Sequence, residues 1–383
     1  MGKDYQRSIW NWDLEVVEGT EVMRNRMNIF LTTSKQSIRY AYPAIVSLFK
    51  CNRDSEIYLY VASEDLTEGD IPAEMQVAQE YGHHIIICRF DEARAREQIV
   101  CSTTGHWPIG AMSCYWMFHE LLPKEVERIL AIEADTVTIG SVKEFYETDL
   151  NGYYAACPDA EHKPLTHKEQ MDMLGGDVLT FVASIYNVKK IRQDFTLQDI
   201  LQTDKKISAI YGQSQMELTF GLLFHGKIKY LSATEYSVEQ NRQSMERFGY
   251  KYLKNCEDTC KILHFSSTGA KEKPWNPTCI MPGYLYWWEY AKDSPYFKEY
   301  FEQQWKFYKR LDKERETAQR NRTVRNVLLC TIILIMAMET IWTGFLMGKW
   351  YVILLQMTVC IVAAGFSIGI RSFSICLQNR HRK

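Results

Sequence analysis

The sequence has little net charge, no nucleotide-binding glycine loop and no closely paired cysteines, and each absence removes a class of function. Lysine and arginine (45) nearly balance aspartate and glutamate (47), and a formal net charge of −2 gives no reason to expect nucleic acid as a partner. Neither G-x-x-x-x-G-K-[ST] nor G-x-G-x-x-G occurs, which sets aside ATP or dinucleotide chemistry through those loops. The 11 cysteines stand singly, without a C-x-x-C pair. Cys256 and Cys260 have no second pair to complete a zinc site, and Cys88, Cys330 and Cys360 lie in apolar runs, where a free thiol acts as a small hydrophobe. A reducing compartment is the simpler reading. The first residues are polar and acidic, unlike a signal peptide, and Gln6 stands where a myristoylation motif wants Ser or Thr.

What is present falls into two parts of different character. A hydrophobic share of 46% supports a substantial core across 383 residues. Near the C-terminus, Val327 to Met347 carries one charge, Glu339, and Trp350 to Ile370 carries none. At ~1.5 Å per residue each run matches a ~30 Å hydrocarbon layer, and Gly348-Lys349 alone separates them, so a membrane hairpin of two helices is expected. Buried core helices and a re-entrant hairpin are the alternatives. The outer flanks, Lys306 to Arg325 and Arg371 to Lys383, are basic, which places them and the large N-terminal part in the cytoplasm of a two-helix, multi-pass cell-membrane protein. Glu339 is either functional or a packing contact near Gln356 or Thr358. The sequon at Asn321 would go unused on the cytoplasmic side.

Between Tyr284 and Tyr308, aromatic side chains are dense among Lys and Glu. Such a stretch suits a helix at the headgroup layer, next to anionic lipid drawn by the basic run; packing of the rings onto the preceding domain is the alternative. The expected division is therefore an N-terminal extension (1–26), a catalytic domain (27–283), an aromatic and basic juxtamembrane helix (284–326), the hairpin (327–371) and a basic tail (372–383).

From Met27 onward strand and helix patterns alternate. Strands are expected at Met27–Thr33, Glu56–Ala62, His84–Phe90, Arg128–Ile132 and Tyr153–Cys157, with helices at Tyr40–Phe49, Pro72–Tyr81 and Met112–Leu122. This β-α-β order predicts an α/β fold, a mostly parallel sheet with helices on both faces, which binds ligands beyond the carboxyl ends of its strands. Glu133 and Asp135 follow one such strand. Residues two apart in an extended chain point the same way, so two carboxylates leave the strand end together, which suits a divalent cation on a diphosphate; a solvated loop edge is the commoner reading of such a pair alone.

A second element, Lys261 to Trp275, combines an apolar strand ending in His264, a Gly269 and a Lys273-Pro274-Trp275. With the acidic pair, with Leu122-Pro123 and with Asn187 to Arg192, it resembles glycosyltransferase family eight, the family of glycogenin and of bacterial lipopolysaccharide galactosyl- and glucosyltransferases. The resemblance spans roughly Met27 to Pro277. It implies a GT-A (Rossmann-like) fold and retaining transfer of a hexose from a UDP-sugar. By the same resemblance Glu133, Asp135 and His264 would hold Mn²⁺ (or Mg²⁺), Lys273 and Gly269 would meet the diphosphate, and Thr32, Thr33 and Ser34 the uridine. Asp159 matches an acid of the sugar and acceptor region, and Gln215-Met216-Glu217 stands where the family has Asp-Gln-Asp, with Glu217 near the anomeric carbon.

The chain departs from the family pattern at the first acid, which is Glu133 rather than Asp, and at the first strand, which lacks an Asp and a Tyr. Tyr115 stands for an Arg, and Phe181 to Ser184 stands for Asn-Ala-Gly. A different sugar, a different nucleotide or lost activity would follow from such changes. The resulting expectation is a membrane-tethered hexosyltransferase that acts on a lipid-linked saccharide or glycolipid in cell-envelope polysaccharide synthesis. An inactive scaffold anchoring envelope-assembly enzymes is the alternative.

Overall fold

A computed structural model describes residues 25–90, 116–159, 165–212, 215–266 and 272–347, with Leu354 and Thr358. The main sheet has seven strands in the order β3-β2-β1-β4-β7-β6-β8. These are β1 (Asn25–Thr32), β2 (Ser55–Ser63), β3 (His84–Arg89), β4 (Arg128–Ile132), β6 (Ala155–Pro158), β7 (Ser184–Asn187) and β8 (Ile228–Leu231). β3, β2, β1 and β4 run parallel, as the strand-helix alternation predicts. β7 then enters antiparallel to both β4 and β6. The first four strands are apolar on both faces because both are covered: Ile29, Leu31, Leu59 and Val61 are buried on one side, and Phe30 and Tyr60 on the other. Each such side chain contributes about 1.5–3 kcal/mol by leaving water.

The helix Ile38–Cys51 packs its apolar residues, Ile45, Leu48 and Phe49 among them, into the same core. Pro72–Tyr81 forms the next helix, closed by Gly82 in the left-handed conformation at φ 69°. That conformation is free for glycine and costs other residues a Cβ clash. Residues 116–121 are helical, and the expected start of that helix at Met112 lies outside the described residues.

Sequence patterning does not reveal a second sheet of three short strands, in the order β5-β10-β9. β10 (Ile262–His264) pairs antiparallel with β5 (Thr136–Thr138) and parallel with β9 (Ser237–Glu239). Around it lies a separate cluster, Val137, Val238, Leu253, Leu263, Phe265, Trp287 and Tyr300.

The chain divides into two compact units, Met1–Gln304 and Trp305–Lys383. Within the first, the aromatic stretch forms a helix Tyr284–Ala291 and the start of a helix Phe297–Met347. Its rings divide between the two expectations. Trp287 and Tyr300 are wholly buried in the domain, whereas Phe297 and Phe301 are exposed. In the second unit, Val327, Leu328, Ile332, Leu334, Ile335 and Met338 are all exposed on one helix. That helix is long and apolar enough to cross a membrane. Of the second expected hairpin helix only Leu354 and Thr358 are described, both helical, with the Thr358 hydroxyl donating to the Leu354 carbonyl at 2.9 Å. None of the described cysteines forms a disulfide.

Candidate functional site

The site forms where the chain leaves the main sheet for the small one. β4 ends at Ile132, β5 begins at Thr136, and the turn between them is Glu133-Ala134-Asp135. The turn is held from inside: the Thr136 amide and hydroxyl both donate to the Glu133 carbonyl, at 3.1 and 2.7 Å. Antiparallel register sets His264 directly opposite Thr136, and the Phe265 amide donates to the Asp135 carbonyl at 2.9 Å. The backbone ladder thus brings His264 to the acidic turn although the two lie far apart in sequence.

His264 Nε2 stands 3.7 Å from both Glu133 Oε2 and Asp135 Oδ1. All three donor atoms lie within 4.8 Å of one another, on residues that are buried or half-buried. Two donors each ~2.1 Å from one cation lie at most ~4.2 Å apart, so these separations fit a shared ion after slight adjustment. Two carboxylates with one imidazole suit Mn²⁺ better than Mg²⁺.

Lys273 completes the cluster. Its ammonium donates to an Asp135 carboxylate oxygen and, at 2.8 Å, to the Phe265 carbonyl. Burial disfavours the ionised form of Asp135, but Lys273 and His264 outweigh it and hold the carboxyl below its ordinary range. Burial likewise opposes a charged His264, yet Glu133, Asp135 and Glu239 together raise its pKa. Glu239, which sequence reasoning missed, is the β9 register partner of His264 and so shares its face of the sheet. It accepts from Asn241 Nδ2 at 3.0 Å. Only the pairing of β9 with β10 could have identified it.

The other expected residues take different positions. Parallel register pairs Leu31 with Ile132, so Thr32 and Thr33 lie at the same strand end as Glu133. Thr33 donates its amide to the Ala62 carbonyl at 3.2 Å, and Ser34 closes the turn into the following helix by accepting from Ser37 N at 3.3 Å. Glu217 sits in the first turn of the helix Met216–Leu223, with Gln215 as its N-cap, and accepts from the Phe181 amide at 3.4 Å. Phe181 leads into Ala183, whose amide donates to the Ala131 carbonyl beside the acidic turn. Ala183 adopts φ 53°, the left-handed conformation, which no other described residue except glycine shares. This is the segment that the resemblance sets against Asn-Ala-Gly.

Asp159 lies apart from the cation cluster, two strands beyond β4. Its amide donates to the Leu231 carbonyl, and its carboxylate accepts from Ala233 N at 3.4 Å, at the start of a short helix. Gly269 and Tyr115 lie outside the described residues. Arg192 has a structural task. Its guanidinium donates to the carbonyls of His119, Leu122, Pro123, Lys124 and Val126, at 2.6 to 3.1 Å, and fastens the end of the 116–121 helix.

The family profile of "Glycosyl transferase family 8" matches residues 28–279. No curated protein sequence matches the chain. Among solved structures, the galactosyltransferase LgtC in complex with donor and acceptor sugar analogs superposes with a TM-score of 0.57 at 17% identity, over 70% of this chain and 96% of that one. The bifunctional glycosyltransferase WbbM gives 0.55 at 13% identity, over 74% of this chain and 53% of that one. GlyE of Streptococcus pneumoniae TIGR4 gives 0.52 at 17%, over 72% and 64%. At such identities the likeness shows the GT-A fold.

Proposed function

The chain belongs to glycosyltransferase family 8, and from that premise we propose that it is a membrane-tethered retaining hexosyltransferase. Its donor is a UDP-sugar, and its acceptor is a lipid-linked saccharide or glycolipid in cell-envelope polysaccharide synthesis. The observation that carries the reading is the convergence of Glu133, Asp135, His264 and Lys273, from three separate segments, at the end of β4. This constellation serves one chemical need, the stabilisation of negative charge on a departing diphosphate.

Glu133, Asp135 and His264 would hold Mn²⁺, which when bound supplies Lewis-acid neutralisation of the diphosphate. Lys273, fixed beside Asp135, brings a second positive charge to the same side of the leaving group. Thr32, Thr33 and Ser34, at the neighbouring strand end, are placed for the nucleoside. Glu217, held by the Phe181 amide, offers a carboxylate as the counter-ion that a developing oxocarbenium charge needs. Gln215 and Asp159 are assigned to the sugar and acceptor side, and Gly269 to the diphosphate.

The lipid-borne acceptor is supported by the apolar helix and the basic run before it. Both flanks of the hairpin, and with them the catalytic unit, belong on the cytoplasmic face by their charge. Turnover of UDP-glucose, UDP-galactose and their N-acetyl forms by the full chain with Mn²⁺ tests the reading. Hydrolysis or transfer of one donor, lost in Asp135→Ala, is the expected result. Absence of turnover together with absence of UDP and Mn²⁺ binding by calorimetry would sink it.

A further inference from the structure

Lys273 is carried on an irregular segment, Glu272 to Ile280, that has no strand or long helix to hold it. Its short local bonds shape the turn: the Asn276 amide donates to the Lys273 carbonyl at 2.9 Å, and the Thr278 amide donates to Asn276 Oδ1 at 2.9 Å. These bonds do not anchor the turn to the domain. The anchors come from elsewhere. Trp288 Nε1 donates to the Pro274 carbonyl at 3.0 Å, and Gln304 Nε2 donates to the Trp275 carbonyl at 3.1 Å. The Trp275 ring stacks on Tyr40 with centroids 4.6 Å apart and leans on Trp287 at 5.7 Å. Trp287 is wholly buried, and Tyr300 beside it is tied down by donating its hydroxyl to the Arg39 carbonyl.

Both hydrogen-bond donors follow the family match, which ends at residue 279. From this we infer that the two helices after the family domain clamp the Lys273 segment, and that Trp288 and Gln304 are positioning residues for the diphosphate of the donor. The inference rests on the proposed donor site and adds to it a part that the family motifs do not contain. Two consecutive carbonyls are bonded by side chains on two different helices, so the backbone directly after Lys273 is held at two points. A lysine whose ammonium must meet a diphosphate gains affinity from such pre-organisation. Freed, the same lysine would sample many rotamers and lose part of that affinity.

The test uses the full chain in detergent, with UDP and Mn²⁺ as the probe. Trp288→Phe keeps an aromatic ring and removes the donor; Gln304→Ala removes the other donor at a half-buried position and covers the case in which the tryptophan variant fails to fold. Loss of one net hydrogen bond corresponds to about 3- to 10-fold weaker UDP binding. In a Lys273→Ala background the same substitutions are expected to change UDP affinity by less than about 2-fold, because a positioning residue acts through the lysine. Equal losses in both backgrounds would show a merely structural role and overturn the inference.

Amide hydrogen exchange at Asn276 and Thr278 reads the clamp without any ligand. Faster exchange at these two amides in either variant is expected, and unchanged exchange overturns the clamp whatever UDP does. Where the wild-type chain binds no UDP, the donor reading fails, and exchange alone decides the clamp.

Discussion

Lys273 reaches across 138 positions of sequence to donate to Asp135, and with the same ammonium it holds the Phe265 carbonyl. The ammonium thus ties the acidic turn before β5 to the residue that follows β10. It also means that Asp135 has two duties, as partner of a half-buried cation and as a proposed ligand.

The ligand duty predicts a specific loss. Asp135→Asn keeps the side chain's shape and removes the charge. Partners in a metal's outer shell are each worth ~10–100-fold in affinity, so loss of the charge on an inner ligand should weaken Mn²⁺ binding by at least about that much. Titration of Mn²⁺ followed by electron paramagnetic resonance measures this directly. Removal of the metal with a chelator should abolish turnover, and added Mn²⁺ should restore it.

Glu74 predicts a pH dependence unrelated to catalysis. It is wholly buried on the helix Pro72–Tyr81, and burial raises its pKa to about 7 although Tyr296 donates to it at 3.4 Å. A raised carboxyl binds its proton more tightly in the folded chain than in the unfolded one. Its ionisation therefore subtracts stability as pH rises from about 4.5 to about 7, and the penalty is constant above that window. The shift corresponds to about 3 kcal/mol. Glu74→Gln should abolish the dependence, so the difference in melting temperature between variant and wild type should grow between pH 5 and pH 8. A constant difference would refute the assignment.

Ala183 holds a conformation that costs an L-residue ~1–2 kcal/mol, and glycine adopts it freely at a smaller entropic cost. Ala183→Gly is therefore expected to stabilise the chain by about 0.5–1 kcal/mol, read by denaturant unfolding. A destabilised variant would show that the methyl group's packing outweighs the backbone strain.

Arg192 satisfies five carbonyls with one guanidinium. A lysine has three donors and no planar fork, so Arg192→Lys leaves several of these groups without a partner. A loss of about 3 kcal/mol is expected from unfolding measurements. The same variant should disturb the 116–121 helix before it disturbs the cation cluster.

A chain ended after Arg325 lacks the apolar part of the long helix. After cell lysis it should move from the membrane fraction to the soluble fraction at low salt with retained UDP binding, or detach only at high salt if the basic run alone holds anionic lipid. Retention in the membrane at high salt would exclude the apolar helix as the main anchor.

The sequence by itself determined the parts that depend on local period and length. Strand β4, the helix Pro72–Tyr81 and the apolar run from Val327 were legible because alternation, helical spacing and span length are properties of neighbouring residues. Glu133, Asp135, His264 and Lys273 were legible as residues, through the resemblance of their motifs to a family pattern, but not as a cluster. Only the tertiary structure decided their meeting, because the antiparallel register of β5 and β10 is a long-range backbone pairing with no local signature. The same holds for Glu239, for the five carbonyls on Arg192 and for the tryptophan and glutamine that grip the Lys273 segment. Hydrogen bonds to carbonyls leave little trace in residue identity, since every residue carries the same acceptor.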